Sequence, residues 1–140
     1  EQNTAAGNGG GIVVLGDLTL SDSVVRGNAG LLGGGLYIDR GQVDILGGLL
    51  TENEARGATG GALFVAGGST VTLQADVLGN LAASEGGGIA ATAQDTLLDV
   101  QASSFGQAGT PDDNLPSDVS WDPTLTLGAN ETFCFGTLCP

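Results

Sequence analysis

The chain has no histidine, no lysine and no methionine, and three arginines are its whole supply of positive charge. Against sixteen acidic residues this leaves a formal net charge of −13. A surface of that sign repels phosphate backbones and anionic membranes, whose attraction rests on Lys and Arg, so nucleic acid is excluded as a partner. Long hydrophobic runs are missing too. The longest span four or five residues, far short of a membrane crossing, and the N-terminus shows no signal-peptide pattern, so membrane insertion is not expected. A chain that starts at Glu1 without Met reads as a processed mature protein or a fragment.

Aromatic residues make up only 4% of the 140 positions, whereas glycine occupies 26 of them, which is poor material for a globule with a thick core. Glycine without a strict three-residue period excludes collagen, and 41% hydrophobic content argues against a disordered glycine-rich linker. A solenoid of thin coils needs only a narrow apolar line, and the sequence supplies one.

Glycine steps recur at Gly9-Gly10-Gly11, Gly33-Gly34-Gly35, Gly60-Gly61-Ala62 and Gly86-Gly87-Gly88, a period of 24 to 27 residues. Asn3, Asn28, Asn53 and Asn80 precede them by five to seven residues. Asparagine repeated at one corner suits a stacked ladder: its amide donates to one neighbouring coil, accepts from the other and tolerates a left-handed turn. Gln107 is expected to continue the column. After each glycine step comes a short apolar strand, Ile12–Val14, Leu36–Ile38, Leu63–Val65 and Ile89–Ala91, with its first and third residues inward. A second strand alternates more clearly, with Leu18, Leu20, Val43, Ile45, Val71, Leu73, Leu98 and Val100 inward and Thr19, Asp44, Thr72 and Asp99 outward. A third places Val25, Leu50 and Val77 in one inward column beside the small residues Ser23, Gly48, Ala75 and Ala102. The predicted fold is all-β: a right-handed parallel β-helix of three-strand coils, about four regular and one irregular.

The two ends differ. All four prolines, the single Trp121 and both cysteines fall within the last thirty residues, and proline lacks the donor a ladder requires. Residues 1–110 are therefore read as coils and 111–140 as an irregular last coil and cap. Within the cap, Leu125-Thr126-Leu127 repeats the second strand of the coil before it, with Phe133 and Phe135 as plugs. Cys134 and Cys139 are close enough for a small-loop disulfide, and no histidine accompanies them to complete a metal site, which favours an oxidising compartment. Asn130-Glu131-Thr132 is a glycosylation sequon. At the other end, Glu1 to Asn8 resemble the tail of a preceding coil, so an open edge is expected there, covered by a longer parent chain or by another subunit.

The asparagine ladder, the Gly-Gly-Gly-Ile and Gly-Gly-Ala-Leu steps and the Leu-Thr-Leu strand resemble β-helix repeats of the pectin-lyase-like superfamily. Closest in pattern are the polymorphic outer membrane protein repeats and similar Gly-Gly-Gly-Ile surface proteins. The resemblance spans residues 3 to about 107 and departs from the Phe-x-x-Asn form, since Val25, Leu50 and Val77 stand where Phe would. It implies adhesion, surface display or filament formation more than catalysis, and a place outside the cell or on its surface.

Chemistry is thinly supplied. A polysaccharide lyase or hydrolase on this fold needs a basic residue or converging carboxylates, and Arg26, Arg40 and Arg56 all lie in or beside turns. Asp44 and Asp99 hold equivalent outward positions two coils apart, roughly 10 Å by the coil rise, a spacing open to inverting carboxylates but equally to ordinary solvated acids. Asp112, Asp113, Asn114 and Asp118 cluster in the loop into the cap and offer oxygen ligands for Ca2+, though the nonapeptide calcium repeat is absent. The strongest binding signal is the outward column Val13, Tyr37, Phe64 and Ala90, apolar where a solvated face should be polar. The sequence thus predicts no enzyme, but an extracellular structural protein that self-assembles into a filament or surface layer through its open edge and this apolar face. Two alternatives are a carbohydrate-binding or carbohydrate-active fragment of a larger secreted protein, with polysaccharide as partner, and an adhesin passenger segment.

Overall fold

A computed structural model describes residues 1–92, 97–101, 103–121 and 126–127. Among them there is no helix, and every strand pairing is parallel. The strands are β1 (Ile12–Val14), β2 (Leu18–Arg26), β3 (Ala29–Gly30), β4 (Leu36–Ile38), β5 (Gly41–Thr51), β6 (Glu54–Ala55), β7 (Leu63–Val65), β8 (Ser69–Leu78), β9 (Leu81–Ala82), β10 (Ile89–Ala91), β11 (Leu97–Val100), β12 (Val119–Trp121) and β13 (Thr126–Leu127). They stack into three sheets, ordered β1-β4-β7-β10-β12, β2-β5-β8-β11-β13 and β3-β6-β9. The chain is a parallel β-solenoid of about four turns.

Three strands per coil were expected, but the division differs. What reads as a second and a third strand is one long strand, β2, β5 or β8, carrying both inward sets. Its bend comes from left-handed residues inside the strand: Asp22 (φ 45°) in β2, and Gly47 and Gly48 (φ 81° and 99°) in β5, where the pairing with β8 also shifts register. Asp tolerates that region and Gly prefers it, so a corner forms without ending the ladder. The third sheet is instead the two-residue strand after each asparagine. Another shift concerns the last coil: Leu98 pairs with Leu127, not Leu125.

The glycine steps are turns with two separate requirements. Gly33 has φ 60°, and a Cβ there would lie 2.0 Å from the Leu36 carbonyl oxygen. Gly34, at ordinary φ, lies so close to the next coil that a Cβ would sit 2.4 Å from the Glu54 carbonyl oxygen. One glycine makes the corner, and the other lets two coils touch backbone to backbone.

The core is the apolar line the sequence anticipates. Leu36, Ile38, Val43, Ile45, Leu63, Val65, Val71, Leu73, Ile89, Leu98 and Val100 are almost completely enclosed. Phe105, which belongs to none of the expected columns, is the largest fully buried side chain among the described residues.

Candidate functional site

The asparagines form the expected ladder, and it has a direction. Each backbone N–H and side-chain amide donates to the Oδ1 of the asparagine one coil later: Asn3 to Asn28 (both 3.0 Å), Asn28 to Asn53 (3.1 and 3.0 Å) and Asn53 to Asn80 (2.9 and 3.0 Å). The second amide hydrogen goes back to a strand carbonyl, from Asn53 to Val25 and from Asn80 to Leu50. The side-chain donors and acceptors of Asn53 and Asn80 are thereby satisfied without water.

The fifth member is Asn114. Asn80 donates to its Oδ1 at 3.1 and 2.9 Å, and it is buried, whereas the expected Gln107 is exposed. An inserted turn explains the error: the step from Asn80 to Asn114 is 34 residues instead of 25 or 27. The same finding removes Asn114 from the candidate calcium set, because its Oδ1 accepts from the Asn80 N–H and amide while its own NH2 group donates to the carbonyls of Val77 and Phe105 and to Asp118 Oδ1. The neighbouring carboxylates are also engaged. Asp113 accepts from the Gly109 N–H at 2.8 Å, and Thr110 donates to Asp112, which lowers the Asp112 pKa. No group of three or more His, Cys, Asp or Glu among the described residues is arranged to hold a metal ion.

The four column residues Val13, Tyr37, Phe64 and Ala90 are in register, and the rings of Tyr37 and Phe64 stack with centroids 5.4 Å apart and planes 3° from parallel. Their exposure falls along the stack. Val13 is 50% exposed and Tyr37 partly so, but Phe64 and Ala90 are 8% and 4% exposed. Phe64 and Ala90 each have a column neighbour on both sides, Tyr37 and Ala90 for Phe64 and Phe64 and Ser120 for Ala90, whereas Val13 ends the column. The expected four-coil stripe therefore narrows to its first two members. Beyond Phe64 lies a shallow hollow lined by Thr59, Glu85, Ala91, Thr92 and Ser120, where the Ser120 hydroxyl donates to Glu85 at 2.8 Å.

Asp44 and Asp99 do share one column, with Thr72 between them, and each accepts from the amide of a glutamine on its own strand region, Gln42 and Gln101. The three guanidiniums are paired with carboxylates at the surface, Arg26 with Glu52, Arg40 with Asp39 and Arg56 with Glu54. The cysteine pair Cys134 and Cys139 and the sequon at Asn130 lie outside the described residues.

The feature that stands apart is the first coil. β1, β2 and β3 end their sheets, apart from a bridge between Thr4 and Ala29 and backbone hydrogen bonds from the Gln2 N–H to Arg26, from the Ala5 N–H to Ala29 and from the Ala29 N–H to Asn3. The nine-residue β2 thus offers a row of backbone donors and acceptors to no other strand on its outer side. Its inward Leu18 and Leu20, with Ile12 of β1, are partly uncovered although their column neighbours Leu36, Val43 and Ile45 are enclosed. Val13, Leu15 and Val24 are at least half exposed around the same coil. Asn3 Oδ1, the acceptor at the foot of the ladder, receives no donor among the described residues.

Comparison of the chain with protein-family models, with curated proteins and with solved structures found no match.

Proposed function

We propose that this chain is a non-enzymatic structural protein of the extracellular space or cell surface, and that its first coil is an assembly surface through which it self-associates into a filament or layer. The observation that carries the reading is the outer edge of that coil within the described residues: a long strand edge beside the partly covered core residues Ile12, Leu18 and Leu20. Monomeric proteins seldom leave a long strand edge unguarded, and neither lysine nor proline stands in β2, whose charges are Asp22 and Arg26. The repeat resemblance to surface-displayed β-helices points the same way. Pairing of all three arginines with carboxylates leaves no free cation beside a carboxylate pair for lyase chemistry among the described residues.

Sedimentation velocity combined with electron microscopy tests this. The wild-type chain is expected to form elongated particles that grow with concentration, and Leu20→Lys, which puts a charge on the open underside, is expected to hold it monomeric with its β-sheet circular dichroism retained. A chain that stays monomeric at every concentration and binds an oligosaccharide would overturn the reading in favour of a carbohydrate-binding module.

A further inference from the structure

We draw no further inference here: the strongest candidate, the shallow hollow beyond Phe64 lined by Thr59, Glu85, Thr92 and Ser120, runs at Thr92 straight into residues 93–96 outside the described residues, and nothing in the structure shows what covers it.

Discussion

The first and third coils carry the same motif, an asparagine, a glycine step, a three-residue strand and a long bent strand, yet their apolar residues live in different surroundings. In the third coil Leu63, Val65, Val71 and Leu73 are wholly enclosed, while in the first Ile12, Leu18 and Leu20 are only partly covered. Asn53 gives and receives ladder hydrogen bonds on both sides, and Asn3 only gives. A coil of this fold is finished by its neighbours rather than by its own sequence, so stability is a property of junctions. Within the described residues the strands of the first coil have a strand neighbour on one side alone, and its apolar residues are correspondingly less covered.

The comparison is broken most severely at the ladder. Asn53→Ala is expected to cost about 4 kcal/mol in denaturant unfolding, because it strands the N–H and amide of Asn28 and removes the side-chain donor from the Val25 carbonyl and from Asn80 Oδ1, which keeps only the backbone N–H of position 53, each buried group costing about 1–3 kcal/mol when unpaired. Asn3→Ala takes only the side-chain donor from Asn28 Oδ1, which keeps the backbone N–H of position 3, and should cost about 1 kcal/mol. Equal costs would show that the ladder contributes little and that the glycine steps hold the coils together.

Next in size are the core leucines. Leu73→Ala removes a fully enclosed side chain and should cost about 3 kcal/mol, whereas Leu20→Ala, its partly exposed counterpart two coils earlier, should cost about 1 kcal/mol. If polymers form as proposed, the Leu20→Ala cost should rise toward that of Leu73→Ala at high protein concentration, since a docked coil would enclose it. Gly34→Ala should then cost about 2 kcal/mol by driving two coils apart at the Glu54 carbonyl, while Gly16→Ala, with open space around its Cβ position, should be nearly neutral. Midpoints of chemical denaturation rank all four.

Much of this was legible because a stacked fold repeats its constraints. The asparagine column, the short strands after each glycine step and the inward alternation of Val43, Ile45, Val71 and Leu73 each recur at a fixed spacing, so one coil predicts the next. What escaped the sequence were places where the spacing breaks or where parity and burial part company. Asn114 was hidden by the longer turn before it, and Gln107 took its place by distance alone. The bend at Asp22 and Gly47 to Gly48 looked like a strand boundary, because left-handed residues end most strands, although here the pairing continues on both sides of it. Phe64 and Ala90 face outward as their parity required, but an outward residue flanked by column neighbours on both sides is covered by them, which alternation cannot reveal.

The smallest expected effect concerns the coil at the opposite end. Burial raises the Asp118 pKa; the Asn114 amide opposes the shift and the nearby Asp113 adds to it. A carboxyl whose folded pKa exceeds its ordinary value of 3.8 binds its proton more tightly in the folded chain, so its contribution is fully present below that value and is lost as pH rises through the raised one. Asp118→Asn keeps an oxygen for the Asn114 amide and cannot ionise. The variant is therefore expected to gain on the wild type as pH rises from acid to neutral, read as a widening difference between their denaturation midpoints. The same substitution at Asp112, whose pKa the Thr110 hydroxyl lowers, should move the difference the other way. Parallel curves for Asp118→Asn and wild type would mean that the carboxylate at the head of the ladder is hydrated like any surface acid, and that the last coil is as open to water as the first.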